Sequence, residues 1–348
     1  MSSRRVLVVT SSYPPSRGGV ERHVEEVVRE LQARGWYVRV LVRPGDGHPR
    51  GRGAVLDLPA STGRRALGAW LVRHPDLARR WDVVHTHDVD PRPLQRLVRA
   101  GRWVHTFHGY EGYPPSEGSV RTRREVARAV DSVVHIGAYI SRWYGTAADL
   151  TLYGGVHPAP PAKGTREFDV VVAGRLAPDT GVQMYAGALA GLHQEGRGLS
   201  ALFLGDGPLR PEVEAQLAHG ECEFAGIVDD VVGGMRRARV AAVSGYLGIL
   251  EAASLGMPPV SVYDNPLKQD YLQCHPLGAA LRAGGSITET KELLLAAVAS
   301  ARGPDPALLG WSRQHSWRAV VDAYLELYDV RPVGAAGGLS SPRTPPAR

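Results

Sequence analysis

Apolar and polar positions along this chain fall into two periods. A short apolar run at 6–10 is followed, after the break SSYPPSRGG, by residues 20–34, where Val20, Val24, Val27, Val28 and Leu31 recur at helical spacing. Pro14 and Pro15 exclude helix from the break, and Gly18-Gly19 stand just ahead of the helix. Gly35 closes it, and 37–42 (YVRVLV) reads as a second strand. Strand, helix and strand at this spacing predict a βαβ unit and a parallel sheet. A loop is expected at 44–53. Short strands follow at 83–85 and 103–107, a helix at 119–130 and a strand at 132–136.

The Gly/Pro-rich segment 153–164 (YGGVHPAPPAKG) then reads as a linker. Beyond it the alternation restarts. Strands are expected at 168–173, 201–204, 223–225, 240–243 and 260–263, with helices near 181–193, 209–218, 231–237 and 289–301, and a last helix at 317–328. The predicted fold class is α/β: two doubly wound Rossmann-like domains facing a cleft. Residues 1–160 form the first domain and 165–315 the second. Residues 316–330 form a closing helix, and the apolar-poor tail 331–348 is expected to be disordered. Ligands of such sheets sit at the carboxyl ends of the strands. Here those are the loops at 15–19, 105–112, 174–181, 205–208 and 244–248.

Composition narrows the class. Apolar content of 43% with 22% charged residues is a soluble globular profile, and no window approaches a membrane-spanning apolar run. The N-terminal apolar run is too short for a signal peptide. Cys222 and Cys274 form neither a metal pattern nor a disulfide framework, so a cytoplasmic location is the default. Residues 1–165 carry 25 basic against 15 acidic side chains, while the remainder is net acidic. A basic half can meet an anionic membrane surface, an anionic substrate or nucleic acid. Nearly all of that charge is arginine, the lysines being Lys163, Lys268 and Lys291, which fits a GC-rich bacterial genome as well as a binding face. Peripheral membrane contact therefore stays open, and no nucleic-acid partner is expected.

The stretch 238–260 (ARVAAVSGYLGILEAASLGMPPV) carries the clearest chemistry. It reads as a buried strand, a glycine-containing turn at 244–248, and a helix with Glu251 on its first turn. Free amides and the helix dipole at such a start favour an anion such as a diphosphate. An acid at the end of a parallel strand can reach sugar or ribose hydroxyls. An ordinary strand–turn–helix connection would read the same way.

The segments PPSRGGVERHVEEVVRELQARGWYVRVL, VVHTHD, VHTFHGYEG, LYGGVHP, VVVAGRLAPDTGV, LFLGDGPLR, FAGIVDDV, GILEAASLGMPPV and WRAVVDAYLELY follow one another along the chain. In that order they resemble the retaining GT-B glycosyltransferases of family 4, the glycosyl transferases group 1. The resemblance implies a nucleotide-sugar donor as co-substrate and no cofactor; no paired acidic metal motif appears in the candidate loops, so no metal is expected. The resemblance also implies a small-molecule or lipid-linked acceptor bound by the first domain, in specialised-metabolite or envelope glycan synthesis, and a last helix that packs back on the first domain. Gly18 and Gly19 resemble the glycines whose backbone approaches the donor diphosphate. His108 resembles the histidine that contacts the transferred sugar; His85, His87 and His105 read as structural. Gly174 and Arg175 resemble the turn and the phosphate-clamping arginine. Leu247, Gly248 and Ile249 lie where backbone amides meet the donor, and Glu251 resembles the ribose-binding glutamate.

Two positions depart from the family pattern. Thr180 stands where a lysine usually follows the arginine, and Val243 where a glutamate usually precedes Glu251 by eight residues. Losing one charge-stabilising group of this kind commonly costs about 2.7–4 kcal/mol in the transition state. Lys268 or an arginine of the first domain is a candidate substitute. The alternative expectation is a degenerate glycosyltransferase fold acting as a binding or partner subunit. A dinucleotide oxidoreductase is disfavoured, since neither half has G-x-G-x-x-G between strand and helix.

Overall fold

The computed structural model describes residues 4–329 apart from 17, 44–54, 59–67, 71, 78 and 160–165. The expected loop at 44–53, part of the expected linker and the tail 331–348 lie outside the described residues.

Two all-parallel sheets form. The first contains β1 (Arg5–Thr10), β2 (Tyr37–Val42), β3 (Val55–Asp57), β4 (Trp81–His87), β5 (Ala100–Phe107), β6 (Ser132–Ile136) and β7 (Leu150–Leu152), in the order β3-β2-β1-β4-β5-β6-β7. The second contains β8 (Phe168–Ala173), β9 (Ala201–Leu204), β10 (Cys222–Gly226), β11 (Ala238–Ala242), β12 (Pro259–Val262) and β13 (Arg282–Gly284), in the order β10-β9-β8-β11-β12-β13. The helices are α1 (Gly19–Ala33), α2 (Arg92–Gln95), α3 (Glu117–Ala129), α4 (Tyr139–Tyr144), α5 (Val182–Gln194), α6 (Arg210–Gln216), α7 (Val231–Met235), α8 (Tyr246–Ser254), α9 (Pro266–Gln273), α10 (Ile287–Ser300), α11 (Pro306–Gln314) and α12 (Trp317–Asp329). Among the described residues no helix is long and apolar enough to cross a membrane.

Both sheets reverse strand order once, and those reversals position the site. In the first sheet β1 lies between β2 and β4, with Thr10 in register with His87. In the second, β8 lies between β9 and β11, with Val172 in register with Ala242. A crevice opens at the carboxyl ends of the strands where the order reverses. The loops leaving those ends lead to α1, to Gly174-Arg175 and to α8.

Near-continuous β-branched runs explain the strands. Val6, Val8, Val38, Val40, Val83 and Val104 are buried in one cluster against Val24, Val27 and Leu31 of α1, as expected for a sheet covered on both faces. The last helix joins that same cluster. Trp317, Val320, Val321, Tyr324 and Tyr328 of α12 are buried on the first sheet's side of the molecule, and Arg34 pairs with Asp322 at 3.0 Å. Gly155 leaves the space Trp317 needs: a Cβ there would sit 2.7 Å from its indole ring.

Under α12 lies a buried hydrogen-bonded network of histidines. Tyr328 meets His85 Nδ1 at 2.7 Å, His85 Nε2 meets Thr106 at 2.8 Å, and Tyr324 meets His23 Nε2 at 3.0 Å. Thr86 meets His105 Nδ1 at 2.6 Å. Burial holds these imidazoles neutral: His23 and His105 are each lowered to about 3, and His85, His87 and His108 fall well below the usual histidine range. The unfolded chain binds protons near pH 6.5 and the folded chain does not, so stability is fully present above pH 6.5 and declines as pH falls through the window below it. Each such histidine contributes a slope of about 1.4 kcal/mol per pH unit there. His105→Asn preserves a polar atom for Thr86 but removes one titrating group. Urea unfolding between pH 6 and pH 5 should show a slope shallower by about one proton; an unchanged slope would show that His105 is not held neutral.

Candidate functional site

Three loops meet where the two sheets face each other. The first leads into α1. Gly18 caps it in an extended conformation and Gly19 is its first helical residue. A Cβ on Gly19 would come no closer than 4.0 Å to any atom, that one being Leu247 Cδ1, so the protein itself leaves this backbone open to the cleft. The second loop follows β8. Gly174 has φ +148 and Arg175 is exposed, donating to Asp179 at 2.6 Å. Gly181, with φ +76, ends the 3₁₀ turn Pro178–Thr180; a Cβ there would strike Val262 Cγ2 at 2.3 Å. Only glycine satisfies both constraints.

The third loop opens α8, and here the structure corrects the sequence reading. Gly245 is the extended cap and the helix begins at Tyr246, so Glu251 lies in its second turn, not its first. The expected turn at 244–248 is thus two residues of turn followed by helix. The first-turn amides belong to Tyr246, Leu247 and Gly248. The Tyr246 amide donates to the Tyr271 hydroxyl at 2.8 Å, which leaves the Leu247 and Gly248 amides as the first-turn donors without an intrahelical partner. Ile249, expected among the donor-binding residues, has nothing to offer. Its amide donates to the Gly245 carbonyl at 3.0 Å and its side chain is fully buried in the core. Leu247 instead reaches across the cleft. A Cβ on Gly154 would lie 2.8 Å from its Cδ2, and its side chain packs with the first sheet's core.

Glu251 is buried, with burial raising its pKa and the neighbouring Arg22 lowering it. Arg22 of α1 donates to Glu251 Oε1 at 2.5 Å, so the carboxylate of one half is held by a guanidinium of the other. Arg22 was not anticipated; a polar residue on the outer face of an amphipathic helix carries no sequence signal of a partner 229 residues away.

His108 follows β5 and is buried. Its Nε2 meets His87 Nδ1 at 2.9 Å, so among the described residues its Nδ1 is the ring atom left for a ligand. Its backbone amide donates to Asp88 at 3.1 Å. Asp88 is a non-glycine residue at φ +50, and burial lifts its carboxyl to about 6. His87, read as structural, thus touches His108 directly. His23, whose ring lies 4.8 Å from that of His108, was missed altogether. Its signal was available: it falls on the apolar stripe of α1 with Val20, Val24 and Val27, where a histidine must find a buried partner.

The expectation of no metal rested on the lack of paired acidic ligands. The structure shows a different set: nitrogens of His23, His87 and His108 lie within 4.8 Å of one another and could hold a metal ion. The three rings also fit a purely hydrogen-bonded arrangement, His87 to His108 and His23 to Tyr324. The cleft therefore brings together Gly18, Gly19, Leu247, Gly248, Glu251 and Arg22 at one junction, with Gly174 and Arg175 on the adjoining loop. His108 stands at the end of the neighbouring strand.

Two family models match the chain. The model described as Glycosyltransferase Family 4 matches residues 17–148, and that described as Glycosyl transferases group 1 matches residues 167–268. A GDP-mannose-dependent alpha-(1-6)-phosphatidylinositol monomannoside mannosyltransferase of Mycobacterium tuberculosis is 28% identical over 268 residues. That alignment covers 65% of this chain and 66% of the relative, just under two thirds of its length. Among solved structures, Anabaena HepE in complex with UDP aligns with a TM-score of 0.70 at 17% identity, covering 93% of this chain and 99% of that one. The lipopolysaccharide outer core galactosyltransferase WaaB aligns with a TM-score of 0.64 at 15% identity, covering 92% and 98%. At such identities the structures speak to the fold, and the two model matches, one on each half of the chain, speak to the family. Together they give this chain the GT-B fold, with a Glycosyltransferase Family 4 match on its first half and a Glycosyl transferases group 1 match on its second.

Proposed function

We propose that the protein moves a sugar from a nucleotide-sugar donor to an acceptor hydroxyl with retention of anomeric configuration. The observation that carries this reading is the junction at α8. There two free helix amides and the open Gly19 backbone stand one turn from a buried carboxylate, Glu251. The amides and the helix dipole suit a diphosphate, and Glu251 suits the adjoining ribose hydroxyls. Arg175 is placed to exchange Asp179 for a phosphate, a fork-shaped donor being well matched to it. His108 offers Nδ1 to a hydroxyl of the transferred sugar. As the sugar–phosphate bond breaks, charge builds on the leaving diphosphate. The guanidinium and amides stabilise it there, and the acceptor hydroxyl attacks from the same face, passing its proton to the leaving phosphate oxygen. The reading calls for no metal and a cytoplasmic donor pool. The mycobacterial relative's action on a phosphatidylinositol monomannoside favours a lipid-linked acceptor over a soluble metabolite, held by the first half with its basic surface toward the membrane.

Incubation with UDP- and GDP-linked sugars and membrane or metabolite acceptors should release the nucleoside diphosphate. The product should keep the donor's anomeric configuration by NMR. An inverted product would contradict retention; absence of both donor binding and release would contradict the whole reading.

One observation favours a second reading, a binding or partner subunit without turnover. Both departures from the family pattern are closed off structurally. The Thr180 hydroxyl has its single O–H within reach of the Arg175 and Ala177 carbonyls, nearer the latter, and Val243 is buried against Gly248. Calorimetric binding of UDP or GDP with no turnover on any acceptor would support it.

Glu251 gives a sharper test of the ribose assignment. Hydrogen bonds to a charged partner are worth about 1.5–3 kcal/mol against about 1 for neutral ones. Glu251→Gln should therefore weaken the preferred nucleoside diphosphate about fivefold or more, and its 2′,3′-dideoxy form much less. Equal losses in calorimetry would return Glu251 to a purely structural partner of Arg22.

A further inference from the structure

We propose that Lys268 is the phosphate-binding ammonium of the donor site, taking the part that Thr180 cannot. This deepens the nucleotide-sugar reading and rests on it.

Lys268 lies on α9, whose cap Asn265 accepts from the Lys268 backbone amide at 2.8 Å. The side chain is only 8% exposed. Its Nζ donates to the Ser244 carbonyl at 2.5 Å and lies 4.2 Å from the centre of the Tyr271 ring. Ser244 immediately precedes the cap of α8. Its hydroxyl would be 3.8 Å from a Cβ on Gly181, the residue after Thr180. Tyr271, which the lysine overlies, in turn caps the Tyr246 amide. The ammonium is therefore set beside the free amides of α8 and beside the turn where the family's usual lysine would stand, although it comes from a different helix.

Its electrostatic position asks for an anion. Among the described residues Lys268 has no carboxylate within ion-pair distance, whereas Lys291 pairs with Glu195. A buried cation without a counter-ion is costly unless a ligand supplies one. Burial lowers its pKa to about 8, while the carboxylates of Asp179 and Asp264 act in the opposite direction. A diphosphate arriving at α8 would complete the shell: the Ser244 carbonyl and the Tyr271 ring each hold one side of the ammonium, and its remaining N–H donors stay available. Arg22, the other basic group at the junction, is committed to Glu251. Thr180 is committed to backbone carbonyls. This leaves Lys268 as the point charge for the phosphate that Arg175 does not clamp.

Two measurements test this. Calorimetry with UDP and GDP, and with uridine and guanosine, first establishes which nucleotide the wild type binds; binding of none overturns the nucleotide reading itself, before any variant is made. Lys268→Met retains the apolar stem over Tyr271. It should weaken the bound diphosphate about tenfold or more and the nucleoside hardly at all, because only the phosphate contact is removed. A diphosphate-to-nucleoside affinity ratio equal to that of the wild type would overturn the assignment. The second measurement uses the unaltered protein and does not depend on a variant folding. Diphosphate affinity of the wild type, followed by calorimetry, should fall as pH rises above about 8, where the free ammonium loses its proton, while nucleoside affinity stays level up to about pH 9. A diphosphate-to-nucleoside affinity ratio that does not change over that range would contradict the proposal.

Discussion

A buried carboxylate must have a partner, and Glu251 finds its partner in the other half of the protein. The Arg22 guanidinium reaches it from α1, the first helix of the chain, while Glu251 belongs to α8. Removing one member of such a pair leaves an uncompensated buried charge, which is strongly destabilising. The pair, with Leu247 near Gly19 and Gly154, joins the two halves at the cleft, alongside Arg142 and Trp143 bonded to Asp270 and Tyr153 bonded to the Cys274 carbonyl. Because both helices start at the carboxyl ends of parallel strands, this arrangement sets two helix amino termini and one acid at the same place. A charged, hydroxyl-bearing ligand is what such a place recognises.

The first half adds a different kind of order. His23 and His85 are neutral, buried and hydrogen-bonded to Tyr324 and Tyr328 of α12, so this helix bears on the strand ends that carry His87 and His108. The helix that leaves the second half thus stabilises the wall of the cleft on the first. Asp88, at positive φ and bonded to the His108 amide, fixes the last turn of that wall.

Much of this was legible in the sequence, for physical reasons. Fully buried parallel strands are near-continuous apolar runs, and those at Tyr37–Val42, Ser132–Ile136, Phe168–Ala173 and Ala201–Leu204 coincide with the expected ranges. What escaped was short or mixed. β3, β7 and β13 are three-residue edge strands that carry too few apolar positions to show a period. α9 begins at a proline and mixes Lys268 and Asp270 with Leu267, Tyr271 and Leu272, so its buried stripe was hidden by polarity. Among site residues, Glu251, Arg175, His108 and the glycines stood out through motif order. Lys268 was legible as a candidate substitute for the missing lysine, whereas Arg22 matters through a partner 229 residues away. The register of α8 was misread because Gly248 looked like a turn residue. It is a helical one, held against Val243 where a Cβ would come within 3.2 Å.

The most direct test of the account is a crystal structure with the nucleoside diphosphate that the protein binds in solution. The diphosphate should lie against the Gly19, Leu247 and Gly248 amides, with the ribose hydroxyls within hydrogen-bonding distance of Glu251. A nucleotide bound elsewhere, or one whose ribose leaves the Arg22–Glu251 pair untouched and distant, would contradict it.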